Sequence, residues 1–136
     1  MRRGLCAILL GLAVGMVGVA GCGGTTASSA PPPLRLTDSA NGTTVAAEVG
    51  QQVVIHLTSS YWSPVSSSDA KLLTPGTVSS SPVSCPPGEG CASVDFPFTA
   101  EAAGSVQLTA SRHVCGEAKP CAPDQTNFLV TVRISG

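Results

Sequence analysis

From Leu34 onward the chain alternates apolar and polar residues with a period of two. Thr43, Val45, Ala47 and Val49 share one side of an extended segment; Val53, Ile55 and Leu57 share one side of the next. β-Branched residues are abundant in both, so they read as half-buried strands rather than as a helix. Asn41-Gly42 supplies the turn before them and Gly50 the bend between them. Leu34–Thr37 is a shorter alternating strand. In the run Ala92–Ala100, Val94, Phe96 and Phe98 fall on one side, and Pro97 predicts an edge strand or a bulge. Ala103-Gly104 turns the chain into a strand carrying Val106, Leu108 and Ala110. The last strand is the cleanest, with Phe128, Val130, Val132 and Ile134 inside and Leu129, Thr131 and Arg133 opposite. His56 lies opposite the Val53/Ile55/Leu57 face and reads as an outward-facing strand histidine.

Two stretches break the alternation. Residues 59–84 are rich in serine, proline and threonine, with one apolar patch at Leu72-Leu73, and residues 112–125 form a second irregular segment. Both are expected to be loops, and long loops in a small domain usually carry function. Six or seven short strands separated by turn signals predict an all-β sandwich, with a small closed barrel as the second choice.

The N-terminal segment has a different pattern. Arg2 and Arg3 precede a glycine-interrupted apolar run from Leu5 to Ala20, closed by Val19-Ala20-Gly21-Cys22. A basic flank, a short apolar core and small residues at a cleavage point make a secretory signal. A cysteine directly after Val-Ala-Gly resembles the bacterial lipobox, which implies cleavage before Cys22 and lipidation of its sulfur. Residues 1–21 are then the lipoprotein signal peptide, residues 22–33 a lipidated cysteine with a Gly/Ser/Pro tether, and residues 34–136 the exported domain. This predicts a protein lipid-anchored to the outer, extracytoplasmic face of a bacterial membrane. Loss of Arg2 and Arg3 leaves five basic and eight acidic side chains. No basic patch survives, so nucleic acid is not an expected partner.

After Cys6 leaves with the signal and Cys22 takes the lipid, Cys85, Cys91, Cys115 and Cys121 remain. An even number in an exported domain implies disulfides. Three connectivities are open, and two within-loop pairs, Cys85–Cys91 and Cys115–Cys121, are favoured. The chain-entropy model gives each short loop roughly 2 to 2.5 kcal/mol. A zinc site including His113 is the sharper alternative, but the close C-x₂₋₄-C spacing is absent. No metal and no cofactor are expected.

Beyond periodicity, the chain resembles a known family. Asn41-Gly42-Thr43-Thr44-Val45, Val49-Gly50-Gln51 and Val53-Val54-Ile55-His56-Leu57 are similar to the opening of the chagasin-type cysteine-protease inhibitors. So are Phe98, Ala102-Ala103-Gly104, Val106-Gln107-Leu108-Thr109 and Phe128-Leu129-Val130-Thr131-Val132. The resemblance runs from about Leu34 to Ser135. It implies an immunoglobulin-like β-sandwich whose three end loops wedge into the cleft of papain-like proteases. The loops themselves depart from the family. Thr58-Ser59-Ser60-Tyr61-Trp62-Ser63-Pro64 stands where the family has Asn-Pro-Thr-Thr-Gly and an aromatic. Pro87-Gly88-Glu89-Gly90 partly matches a glycine-rich middle loop. Arg112 stands where an Arg-Pro-Trp arginine would be, but His113-Val114-Cys115 follows.

The candidate partner-binding residues are therefore Ser59, Ser60, Tyr61, Trp62, Ser63, Pro64, Gly88, Glu89, Gly90, Arg112 and His113. An aromatic pair on a loop suits a protein partner, whereas the plainer reading folds Trp62 back as a cap on the core. Arg112 and His113 suit a partner carboxylate; the plainer reading pairs Arg112 with Glu117 or Asp124. Catalysis is not expected, because only two histidines exist and no Gly-x-Ser-x-Gly elbow is present. Together these features predict a monomeric, membrane-anchored protein-binding module. Its two readings are a reversible steric inhibitor of papain-like cysteine proteases and a non-inhibitory cell-envelope lipoprotein that keeps the scaffold with replaced loops. Small-ligand or metal binding at the same loop end is a weaker third.

Overall fold

A computed structural model describes residues 29–136 except 82, 83, 85, 87–89 and 117. The expected lipidation at Cys22, the signal segment and most of the tether lie outside the described residues, as do Cys85, Gly88 and Glu89.

Among the described residues nine strands form two sheets: β1 (Leu34–Thr37), β2 (Thr44–Glu48), β3 (Gln52–Thr58), β4 (Ser66–Ser67), β5 (Leu73–Pro75), β6 (Ser79–Ser81), β7 (Ser93–Ala100), β8 (Gly104–Ser111) and β9 (Asn127–Ser135). One sheet has the order β1-β3-β7-β5, with β6 also paired to β7; the other has the order β2-β9-β8-β4. The two inner faces share one apolar layer, including Val53, Ile55, Leu57, Phe96, Phe98, Val106, Leu108, Phe128, Val130 and Val132. The alternation read along β3, β7, β8 and β9 is the alternation that is buried. The all-β, immunoglobulin-like sandwich is the architecture found.

β1 and β2 behave as one interrupted strand that changes sheets. β1 runs parallel to β3, with Leu34 opposite Val53, and β2 runs parallel to β9, with Thr44 opposite Thr131. A short 3₁₀ turn, Asp38–Ala40, makes the crossing. The chain crosses back through Gly50, whose φ of 85° suits glycine. The two segments that meet at Gly50 thus belong to opposite sheets.

Three expectations are corrected. The serine-rich stretch after residue 59 is not wholly irregular. It contributes β4, β5 and β6, strands of two or three residues on the sheet borders. Strands this short carry almost no apolar pattern, and short edges limit unwanted pairing. Pro97 is in neither an edge strand nor a bulge, since β7 is flanked by β3 on one side and by β5 and β6 on the other. The proline is tolerated because β5 ends opposite Phe98 and β6 begins opposite Asp95. The Pro97 carbonyl accepts from Gly76 N–H at 2.8 Å in that gap, where the missing proline donor is not needed. Thr43 and Val49 lie just outside β2 and are exposed; Ala47 carries the burial on that strand.

His56 does face outward, yet it is not isolated. Its Nδ1 lies 2.6 Å from Asp95 Oδ1, directly across the β3–β7 pair. Arg35 on β1 reaches the same carboxylate at 3.0 Å and the same ring nitrogen at 2.7 Å. One ring nitrogen cannot both donate to Asp95 and accept from Arg35, so the two contacts are alternatives. The cluster pins the edge strand β1 across β3 to β7. Burial pushes the Asp95 carboxyl up, but the hydrogen bonds and charges of His56 and Arg35 outweigh it and hold the group below its ordinary value. A lowered carboxyl contributes stability above the unfolded pKa and loses it as pH falls through the folded one. Asp95→Asn is therefore expected to lower the unfolding free energy in urea at pH 5–7, by no more than about 1 kcal/mol for so exposed a pair. The difference should be full above the ordinary carboxylate range and shrink as pH falls below it, and urea unfolding of both proteins from neutral to acid pH checks it.

Candidate functional site

β3, β8 and β6 end, and β7 and β9 begin, at one pole of the sandwich. The three connections predicted to bind a partner therefore meet there. Backbone hydrogen bonds join them: Ser59 N–H donates to Ala92 O, Ser60 N–H to Gly90 O, and Ser63 N–H to Ser111 O, at 2.8–2.9 Å.

The first loop carries local strain. Ser59 has a φ of 108°, a conformation uncommon outside glycine. Its hydroxyl accepts from Tyr61 N–H at 3.2 Å, which tightens the turn. Tyr61 then lies over Gly90, which has a φ of 59°; a Cβ at Gly90 would overlap the Tyr61 ring. Glycine is required here for both conformation and space.

Trp62 caps the core. It is partly buried against the apolar layer, and its ring meets Phe128 edge-on at 6.4 Å and 75°. Its indole N–H donates to Thr58 O at 3.3 Å. The Arg112 guanidinium lies over the indole, 4.3 Å from the ring centroid. Arg112 also donates through Nε to Gln125 O at 2.9 Å. The ion pair expected with Asp124 is absent: a carbonyl and an aromatic face take the place of that carboxylate, and Glu117 lies outside the described residues. Cation–aromatic contact of this kind is worth about 0.5–1 kcal/mol at exposed sites. Ser63 is tied to β8, its hydroxyl accepting from Ser111 N–H at 3.0 Å, while Pro64 and His113 are exposed.

The third loop is closed by Cys115–Cys121, with Cα atoms 5.0 Å apart. Val114 bridges Pro120, and Cys121 N–H donates to His113 O at 3.0 Å. The within-loop pairing expected for this loop is the one found. Cys91 is disulfide-bonded as well. Among the described residues no group of His, Cys, Asp and Glu is placed to hold a metal ion.

Pattern reading missed a fourth contributor, the β1–β2 crossover. Asp38 Oδ2 accepts from Thr58 N–H at 3.0 Å and from its hydroxyl at 2.9 Å. Asn41 accepts from Leu129 N–H at 2.8 Å and donates to Asn127 O at 3.0 Å. With Trp62, Arg112, Asp124 and Phe128 these residues line a shallow cavity of about 150 Å³. The signal was present in Asn41-Gly42, which was legible as a turn but not as a bond to the last strand.

No family model and no curated protein matches the chain. Among solved structures it is similar to the cysteine protease inhibitor EhICP2 of Entamoeba histolytica, with a TM-score of 0.56 and 12% identity over 76% of this chain and 96% of that one. It is also similar to amebosin in solution, with a TM-score of 0.54 and 19% identity over 77% of this chain and 100% of that one. At these identities the likeness is one of fold, and it agrees with the chagasin-like sandwich expected from the sequence.

Gly90→Ala is expected to push Tyr61 off its seat and part the first two loops. It should cost about 1–3 kcal/mol, as overpacking does. Near-ultraviolet circular dichroism should change while the far-ultraviolet β signal stays, and urea unfolding gives the magnitude.

Proposed function

We propose that the domain binds a protein partner with its loop pole and acts there as a reversible steric inhibitor of papain-like cysteine proteases. The observation that carries this reading is the convergence of three loops at one end of a sandwich whose fold is shared with a cysteine protease inhibitor, the first of them hydrogen-bonded to the second and to the end of β8. Binding of this kind asks for little chemistry. Loops already ordered lose little further entropy when they enter a cleft, so more of the contact energy survives as affinity. Ser59, Ser60 and Tyr61 are fixed by Ala92 and Gly90, Trp62 by Phe128 and Arg112, and the third loop by its disulfide. No acyl-enzyme is required, since the wedge excludes substrate by occupying its place.

A second reading keeps the surface and changes the partner. Trp62 and Arg112, the two residues best suited to anchor an enzyme, are engaged with each other and with the core. That arrangement favours a cell-envelope binding module whose loops were replaced. In both readings Cys22 carries the lipid that holds the domain on the extracytoplasmic face.

Titration of papain with the disulfide-intact protein distinguishes the readings. Reversible inhibition, competitive with substrate and weakened at least tenfold by Gly90→Ala, is the outcome expected of the inhibitor. No inhibition at micromolar protein would leave the envelope module. The anchor has its own test: labelled palmitate should enter the wild-type protein in bacterial cells, and Cys22→Ala should abolish both incorporation and membrane association.

A further inference from the structure

The two poles of the sandwich are chemically and topologically distinct. β1 enters at the pole away from the loops: Leu34 pairs with Val53, near the start of β3, while Thr58, at the other end of β3, meets the loops. The residues preceding β1 are held at that same pole, because Gln51 Nε2 donates to Pro32 O at 2.8 Å. Gln51 sits in the Glu48–Gln52 connection, and its main-chain carbonyl accepts from Ala100 N–H at 3.0 Å, so Pro32 is fixed beside the β7–β8 turn. Pro31, Pro32 and Pro33 favour an extended backbone and resist folding back along the domain.

We propose that the loop pole points away from the membrane and that its partner is a soluble extracytoplasmic protein, not one embedded in the bilayer beside it. The inference rests on the lipid anchor and on the loop pole as the binding surface. The distances follow from chain geometry. β9 has nine residues along the long axis, so the sandwich is roughly 30 Å from pole to pole. The ten residue steps from Cys22 to Pro32 can reach no further than roughly 35 Å. The loop pole then stands between roughly 30 and 65 Å from the lipid surface. A bilayer-embedded enzyme with its cleft close to the headgroups would meet the opposite pole, around Val49, Gly50 and Ala103. A soluble enzyme of ordinary size meets Tyr61, Trp62 and the disulfided loop without steric conflict with the bilayer.

Trp62 is the only tryptophan, so the chain carries its own reporter at the loop pole. Val49, 40% exposed beside Gly50, offers a reporter position at the other pole. The lipidated full chain is reconstituted into phosphatidylcholine vesicles bearing dansyl-labelled headgroups, and energy transfer from tryptophan is measured. Transfer from the Trp62→Phe/Val49→Trp protein is expected to exceed that from wild type severalfold. Should Trp62→Phe impair folding, Val49→Trp alone gives the same comparison as added transfer over wild type. Equal or greater transfer from Trp62, in protein that floats with the vesicles, would overturn the orientation and leave the anchor standing. Protein that fails to float would overturn the anchor and this inference together, while papain inhibition in solution would be untouched. Capture of papain from bulk solution by the floated vesicles is the accompanying expected result.

Discussion

The loop pole depends on a polar stitch. Where β1 leaves one sheet and β2 joins the other, Asp38 holds the end of β3 and Asn41 holds the start of β9. Hydrogen bonds to a charged group contribute about 1.5–3 kcal/mol and neutral ones about 1 kcal/mol. The crossover therefore binds the two sheets together at the pole where their connecting loops are longest. Without it the apolar layer would still be shared, but the strand ends that launch the loops would be free to splay. The stitch also sets the depth at which Trp62 can sit, since Thr58 serves both Asp38 and the indole N–H.

Above that stitch the molecule makes rigidity from few apolar residues. Five aromatic side chains serve the whole chain. Phe96, Phe98 and Phe128 go to the core, leaving Tyr61 and Trp62 for the loops. Each of these two is immobilised by a residue that contributes little apolar area itself: Gly90 by offering a flat backbone, Arg112 by stacking its guanidinium. The Cys115–Cys121 bridge does the same for a loop that has almost no apolar side chain to bury. Stiff loops on a small core are what a steric wedge needs, because a flexible loop would lose in ordering what it gains in contact.

Legibility in the sequence followed the amount of buried area. β3, β7, β8 and β9 each bury alternate side chains, and each was readable from its alternation. β4, β5 and β6 bury little beyond Leu73, so no period marks them. The place of Pro97 is not legible, because a strand's neighbours cannot be read from its own residues; the gap between β5 and β6 is a property of the sheet. The same limit hid Asp95 and Arg35 from His56, which alternation places correctly on the outer face but without register. At the site, the loops and their disulfide were legible from composition. The engagement of Arg112 with Trp62 rather than with Asp124 was not, since fifty residues separate Arg112 from Trp62 in the chain.

Scaffold and loops have therefore been constrained differently. The scaffold's requirements are periodic and many sequences satisfy them, so a fold can be shared at 12% identity. The loops' requirements are particular: one glycine under one tyrosine, one arginine over one tryptophan, and bridged cysteines. Those particulars fix the described loop residues in place by means that the strand pattern does not dictate. Shape is what steric inhibition uses, and shape can be kept while residues change. A partner recognised through specific side chains would place stronger demands on Trp62 and Arg112 than on Gly90. A partner whose cleft is filled by bulk would reverse that order. The relative effect of substitutions at those positions is thus where the two functional readings part, independently of how tightly either partner binds.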